Sequence, residues 1–379
     1  MTGGGRSIAA PPQVVIDLEK LSHINSGLGQ FCLQLGRTLP TACQDRFWPV
    51  FFLPRSAAAL FPQADHGTLA VGDWKKESLQ RWVRPLVQPW RRPPATAVWH
   101  VTNQTSKYMP PDDRTPVVLT IHDLNFLHAD VRGRREWAAA RKLAAVQRKV
   151  RRASLVTTVS KYVAAEVESH LDLGGRQVHV VPSGMAPPGA AAARRPSFLA
   201  AGPFLLTVGN CMPHKNFHVL LGLVERLPDV RLVIAGSKVG PYGRFVEQEV
   251  DRRGLRDRVS MPGEVSDGDR QWLYEHCEAL VFPSLAEGFG FPVLEAMQCG
   301  KPVFMSRRTS LPEIAAGHGF FFDSYDPEAM AAAYREGMLA FARDPGGADR
   351  LRAHARTFTW PVAAARYVEL YELCRNIGR

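Results

Sequence analysis

The sequence predicts an α/β protein with two doubly wound parallel sheets that face a central cleft. Short apolar segments alternate with amphipathic segments of helical length along the chain, as in proteins whose parallel strands are joined by helices. The pattern stops at a segment rich in Pro, Gly and Ala, 182–196, and then starts again. At 379 residues the chain also exceeds what one hydrophobic core usually serves. Ligands of such folds bind beyond the carboxyl ends of the strands, so we expect a ligand in the cleft.

The individual elements follow from the same periodicity. In the first half, apolar runs predict strands at 14–17, 49–53, 98–101, 117–122, 155–159 and 178–181, with helices near 27–38, 135–150 and 161–170. In the second half they predict strands at 204–208, 231–235, 259–261, 280–282 and 303–305, with helices near 216–227, 243–253, 267–277, 291–299 and 326–341. A last helix, 362–376, carries an apolar stripe and is expected to pack on another part of the protein.

The composition excludes several classes of protein. Hydrophobic residues make up 45% of the chain and charged residues 22%, as in globular proteins. No uncharged apolar run reaches the roughly 18 residues that a spanning helix needs, and the first twelve residues lack the apolar core of a signal peptide. Six scattered cysteines without C-x-x-C spacing argue against a zinc site or a disulfide framework. We therefore expect a cytoplasmic protein.

Positive charge is concentrated in two segments. Nine Lys or Arg and one acid lie between Arg132 and Arg152, so this segment supplies +8 of the net charge of +11. A second segment, 74–92, interleaves tryptophans with cations. Such segments suit an anionic membrane surface or an anionic glycolipid, and a solvated helix face with a few core tryptophans is the alternative. No recognition motif for nucleic acid accompanies the charge.

The most informative segment is 284–300, in which an apolar strand passes through a Gly-rich turn into a helix. Pro292 suits the first helical turn and Gly300 the position just past the helix end. Free backbone N–H groups at such a turn hold phosphate. Glu295, eight residues after Glu287, suits two hydroxyl hydrogen bonds from a ribose diol, and Glu287 suits a second polyol. Together these features indicate a nucleotide sugar.

Residues 287–297 resemble the E-x7-E signature of the retaining glycosyltransferases of family GT4, which have the GT-B fold with two Rossmann-like domains. The resemblance implies an acceptor domain at 1–196, a donor domain at 197–356 and a C-terminal helical segment, 357–379, that crosses back to the first domain. It also implies transfer of a hexose from GDP-mannose or a UDP-sugar to a glycan or glycolipid, in bacterial cell-surface polysaccharide or lipopolysaccharide synthesis. The donor phosphates and sugar would contact Glu287, Gly288, Phe289, Gly290 and Phe291, and the ribose would contact Glu295.

Other segments resemble the same family. Residues 25–30, including Gly29, are similar to its N-terminal glycine loop, and they lack the third glycine of a dinucleotide-binding fingerprint. Residues 205–216 are similar to the segment in which a lysine, here Lys215, reaches the diphosphate from a helix N-terminus. Many relatives carry Arg where Asn210 stands, so a second cation is unassigned, and Asn216 follows the lysine as in the Pro-x-Lys-Asn subset.

His122 and Val265 complete the predicted site. His122 is similar to the family's cleft histidine, which faces the sugar or phosphate, and the backbone near Val265 is similar to the turn that holds the nucleobase. On this resemblance Lys215 and backbone N–H groups stabilise the leaving diphosphate, so neither a cofactor nor a metal is expected. Attack from the front face would make Glu287 a positioning group, not a covalent nucleophile. The alternatives are an epimerase or hydrolase of nucleotide sugars on the same fold, and a non-catalytic protein that binds carbohydrate or a lipid surface.

Overall fold

The computed structural model describes residues 10–62, 64–71, 96–110, 112–128, 134–189 and 194–377. The Trp-rich segment 74–92 and Arg132 lie outside the described residues. Two parallel sheets are present, and each has helices packed on it. The predicted fold class, two Rossmann-like sheets facing a cleft as in the GT-B fold, is therefore confirmed.

The first sheet has seven parallel strands in the order β3-β2-β1-β4-β5-β6-β7. They are β1 Gln13–Asp17, β2 Trp48–Leu53, β3 Gly67–Ala70, β4 Thr96–Val101, β5 Val117–Ile121, β6 Leu155–Thr158 and β7 Val178–Val180. Its described helices are α1 Gly27–Cys43, α2 Arg134–Arg152 and α3 Lys161–His170. The β5 strand is buried along its whole length, as expected of a strand covered on both faces.

The second sheet has six parallel strands in the order β10-β9-β8-β11-β12-β13. They are β8 Phe204–Val208, β9 Arg231–Ala235, β10 Val259–Gly263, β11 Ala279–Phe282, β12 Val303–Ser306 and β13 Phe320–Phe322. The helices are α4 Val219–Arg226, α5 Pro241–Arg252, α6 Asp267–His276, α7 Phe291–Gln298, α8 Leu311–Ala315, α9 Pro327–Ala342 and α10 Gly347–Ala355. Hydrophobic clusters cover both faces of this sheet.

The last helix, α11 Trp360–Ile377, returns to the first domain and packs on α1, β4 and β5. A buried hydrogen-bond network joins it to the sheet. The His100 ring nitrogens lie 2.8 Å from the Tyr371 hydroxyl and 2.8 Å from Thr120 Oγ1. Burial lowers the pKa of His100 to about 3, so this ring is neutral.

Several elements differ from the sequence-based predictions. Strands β3 and β13 and helices α8 and α10 were not predicted; all are short or adjoin turn residues. The structure ends β5 at Ile121, so His122 lies just beyond the strand and not within it. The helix predicted at 216–227 begins only at Val219. Among the described residues, no helix has the length and apolar character needed to span a membrane.

Candidate active site

The Gly-rich turn places Glu287 between β11 and α7 with its carboxylate held from two sides. Lys215 Nζ donates to Glu287 Oε1 at 2.6 Å, and the Ser284 hydroxyl donates to the same oxygen. The backbone N–H of Glu287 donates to Thr309 Oγ1 at 3.0 Å. Glu287 is only 9% exposed, so its orientation is fixed before any ligand binds.

Lys215 reaches this carboxylate from a 3-10 turn, Pro213–Lys215, and not from the start of an α-helix as predicted. Asn216 ends that turn in the left-handed conformation, with φ of 58°, which asparagine tolerates better than most residues. Its buried amide donates to Pro283 O at 3.4 Å, which joins this turn to the one that carries Glu287. Lys215 Nζ also lies 5.0 Å from the centroid of the Phe282 ring. The turn, and not a helix dipole, therefore positions the ammonium group.

His122 follows the last residue of β5, at the edge of the first sheet that contacts the second domain. Its Nε2–H donates to the Thr102 carbonyl oxygen at 2.8 Å, since a carbonyl can only accept. Burial lowers the pKa of His122 to about 4. The ring is therefore neutral near pH 7, and its Nδ1 retains a lone pair. Phe31 packs edge-on against the ring, with 4.5 Å between centroids.

The two domains meet between His122 and Gly288. A Cβ atom at Gly288 would collide with the carbonyl oxygen of His122, so only glycine fits there. Ser160 Oγ donates to the Gly288 carbonyl oxygen at 2.8 Å. His122 and the turn that carries Glu287 are therefore in direct contact across the boundary between the two domains.

Sequence reasoning missed Gln104, whose side chain shapes this part of the site. Gln104 holds the backbone on both sides of His122: its Oε1 accepts from the His122 N–H at 3.0 Å, and its Nε2 donates to the Asp123 carbonyl at 2.9 Å. Burial, followed by the nearby charge of Glu287, raises the pKa of Asp123, while a hydrogen bond from Asn125 lowers it. His122 was predicted from the sequence, but Gln104 lies 18 positions earlier in the chain, and this separation concealed their contact.

Glu295 lies on α7, where its Oε2 accepts a hydrogen bond from the Tyr274 hydroxyl at 2.5 Å. Between the two glutamates, Gly290 has φ of 109° and precedes the first residue of the helix. Phe289 is buried and packs on Phe291, with 5.0 Å between ring centroids, so its side chain supports the turn.

The remaining predicted donor residues lie on surrounding loops. Gly29 is in the first turn of α1, where a Cβ atom would collide with the carbonyl oxygen of His23. Asn210 is exposed, and its Oδ1 accepts from the Ser237 N–H at 3.3 Å, so it contacts the loop after β9. Val265 is half-buried against the core between β10 and α6. The structure thus brings together Lys215, Asn216 and Glu287 most closely.

The chain matches two family models. Residues 193–344 match "Glycosyl transferases group 1", and residues 66–187 match "Glycosyltransferase Family 4". O-antigen chain mannosyltransferase B of Escherichia coli is 32% identical over 180 residues, which cover 46% of this chain and 47% of that protein. A D-inositol 3-phosphate glycosyltransferase of Mycobacterium marinum is 31% identical over 40% of this chain and 34% of that protein. The chain thus spans about half or less of the length of these curated relatives.

Solved structures match the chain over nearly its whole length. Sucrose-phosphate synthase of Thermosynechococcus elongatus has a TM-score of 0.75 at 19% identity, covering 96% of this chain and 98% of that one. HepE of Anabaena in complex with UDP and glucose has a TM-score of 0.68 at 17% identity, and the match covers 96% of this chain and 100% of that one. WaaG, a glycosyltransferase of lipopolysaccharide biosynthesis, has a TM-score of 0.67 at 16% identity, covering 94% and 99%. At sequence identities of 16–19%, these matches show a shared fold.

Proposed function

Because this chain belongs to the group 1 glycosyltransferases, we propose that it moves a hexose from a nucleoside diphosphate sugar to a glycan or glycolipid with retention of configuration. The observation that carries the proposal is the Lys215–Glu287 ion pair, which lies beside the turn that contacts His122 of the other domain. An ammonium group there would offset the charge of a leaving diphosphate, and a fixed carboxylate beside it would hold sugar hydroxyls.

The proposed mechanism assigns each group one task. Lys215 and the backbone N–H groups of the turn stabilise the departing diphosphate, so no metal ion is invoked. Glu287 is bonded to Lys215 and Ser284, which suits a positioning group better than a nucleophile. Neutral His122 orients the donor through Nδ1. The acceptor hydroxyl attacks the anomeric carbon from the face that the diphosphate leaves, and its proton passes to a departing phosphate oxygen.

The donor we propose first is GDP-mannose, and UDP-sugars are the alternative. Several similar proteins are named O-antigen mannosyltransferases, whereas one structural neighbour holds UDP and glucose. The acceptor would then be a growing cell-surface polysaccharide or lipopolysaccharide. Incubation with GDP-mannose, UDP-glucose or ADP-glucose, with and without a mannose-containing acceptor, tests this proposal. Acceptor-dependent nucleotide release that survives a chelator is expected; release without any acceptor would favour a hydrolase or epimerase.

The two carboxylates provide the sharper test of the site. Glu295→Gln should weaken the binding of donor and free nucleotide alike, because every nucleotide offers the same ribose diol. Glu287→Gln should lower turnover more than nucleotide affinity. Calorimetric titration with free nucleotide, together with turnover assays on both variants, separates the two roles. Equal effects of both changes on free-nucleotide binding would contradict this division.

We also propose that α2 docks the protein on the inner face of the cell membrane. Trp137 is 68% exposed and Arg141 lies 5.6 Å over its ring, while Lys142 and Arg148 are also exposed. Trp beside cations suits an anionic leaflet, where each cation contributes about 1 kcal/mol. Other cations of this helix serve the fold: Lys149 is buried, and Arg152 donates to the Thr115 carbonyl at 2.8 Å.

Vesicle sedimentation tests this docking. Reversing Arg141, Lys142 and Arg148 to Glu should release the protein from vesicles rich in phosphatidylglycerol, and salt should weaken the parent's binding. Nucleotide affinity, measured on both proteins, should stay unchanged. A parent protein that fails to bind such vesicles at low salt would refute the proposal.

A further inference from the structure

Tyr274 is a buried tyrosine whose hydroxyl meets a predicted ligand-binding carboxylate. It lies on α6, which begins after Ser266, whose hydroxyl accepts from the Asp269 N–H at 3.0 Å. Tyr274 is 2% exposed, and its hydroxyl donates to Glu295 Oε2 at 2.5 Å. Glu295 itself is half-buried, so part of it remains accessible to solvent.

We infer that Tyr274 is a positioning residue that holds the Glu295 carboxylate ready for the ribose diol of a nucleotide. This inference rests on the proposed function, because Glu295 binds ribose only if the donor is a nucleotide sugar. A glutamate on a helix has three side-chain torsions, and its carboxylate takes several positions unless a neighbour fixes it. The phenol hydroxyl supplies that neighbour.

The hydrogen bond uses one oxygen and leaves the other for the ligand. A carboxylate offers about four lone-pair sites, and Tyr274 takes one of them on Oε2. Oε1 and the remaining site on Oε2 are then available for two adjacent hydroxyls. Burial, followed by the charge of Glu295, raises the pKa of Tyr274 well above its ordinary value, so the phenol keeps its proton at every working pH.

The surroundings explain why this tyrosine stays in place. Trp272, Leu273 and Tyr274 are three consecutive buried residues of α6. The neighbouring Gln271 reaches α7 as well, with its Nε2 3.5 Å from Cys299 Sγ. The buried ring therefore fixes the position of Tyr274, and the hydroxyl makes the hydrogen bond to Glu295. Tyr274→Phe removes that hydroxyl while keeping the ring.

The experiment compares ribose with its deoxygenated form. Affinities of UDP and GDP, and of the 2′,3′-dideoxy form of each, are measured calorimetrically for the parent, Tyr274→Phe, Glu295→Gln and the double variant. Tyr274→Phe should lower the affinity for the ribose nucleotide by about three- to tenfold, because the Glu295 side chain must then be ordered when the ligand binds. The dideoxy nucleotide should bind parent and variant equally, and the double variant should be no weaker than Glu295→Gln alone.

Tyr334→Phe is the matched control, because Tyr334 lies in the hydrophobic cluster on the other face of the same sheet. It should leave all affinities unchanged, and melting temperatures identify any variant that is merely less stable. The inference is overturned if Tyr274→Phe weakens the binding of ribose and dideoxy nucleotides equally, or weakens neither, while Glu295→Gln still weakens the ribose nucleotides selectively. If Glu295→Gln does not distinguish the two nucleotides, or no nucleotide binds, the proposed donor site itself is wrong and the inference fails with it.

Discussion

The ion pair between Lys215 and Glu287 sets the charge at the centre of the site. Both side chains are largely buried, and the ammonium group also faces the Phe282 ring. A buried pair of this kind contributes little net stability, because desolvation offsets the attraction. A substrate that uses both charges therefore explains the pair better than a contribution to stability does.

Lys215→Ala should therefore impair turnover more than folding. If the ammonium group mainly stabilises the leaving diphosphate, the loss in kcat/KM should be about 2–4 kcal/mol, as for a lost oxyanion donor. Steady-state kinetics with the identified donor measure it. Arg343→Ala, which removes an exposed cation at the end of α9, is the control and should have parent-like kinetics. An unchanged rate in Lys215→Ala would mean that another cation stabilises the leaving diphosphate.

Asp17 is a second buried carboxyl group, at the end of β1. Burial, together with the charge of Glu19, raises its pKa from 3.8 to about 7. The folded protein therefore binds a proton that the unfolded chain has already lost between about pH 4 and pH 7. The free energy of unfolding falls as pH rises through this window and is level above it.

Asp17→Asn should remove this dependence, because the amide has the shape of the neutral acid. The free energy of unfolding of the variant minus that of the parent should therefore increase by about 2–3 kcal/mol when the pH is raised from 5 to 8. Urea denaturation at both pH values measures the difference, and the comparison cancels groups common to both proteins. A constant difference would mean that Asp17 is ionised throughout.

At the scale of elements, the strands were predictable because buried parallel strands are continuous apolar runs. The turns that place the site were less so. The sequence predicts a helix start at Lys215, because Asn216 and the apolar residues after it fit helical spacing, but the left-handed conformation of Asn216 delays α4 to Val219. Contacts such as Tyr274 with Glu295, or Gln104 with His122, join separate elements and leave no local pattern.

Helix α11 is the element whose packing was foreseen and whose polar contacts were not. Tyr371→Phe would leave a ring nitrogen of buried His100 without its partner at 2.8 Å. Such a loss costs about 1–3 kcal/mol in free energy of unfolding. Urea denaturation should show it, whereas Leu373→Ala on the exposed side of the same helix should change stability by less than about 0.5 kcal/mol. Equal effects would mean that the network adds nothing beyond apolar packing.

At the scale of the whole molecule, a few polar contacts hold the two domains together across the cleft. The Glu313 carboxylate of α8 accepts from the backbone N–H groups of Lys161 and Tyr162, at 2.8 and 2.9 Å, at the start of α3. Asn25 Nδ2 donates to Glu264 Oε2 at 2.9 Å near the predicted nucleobase turn. These contacts lie beyond the strand ends of both sheets, so they are placed to govern how far the two domains separate.

Glu313→Ala should therefore shift the molecule toward open forms. Two charge-assisted, partly exposed hydrogen bonds contribute about 1–2 kcal/mol, which changes the ratio of open to closed molecules by roughly five- to thirtyfold. Small-angle scattering should report a larger radius of gyration, and kcat should fall, because His122 and Glu287 must face one substrate. Free-nucleotide affinity should stay near the parent value, since the predicted nucleotide contacts lie mostly in the second domain. Glu336→Ala, at an exposed position of α9, should alter neither quantity. A Glu313→Ala protein with parent-like scattering and turnover would mean that α11 and the remaining contacts fix the domains by themselves.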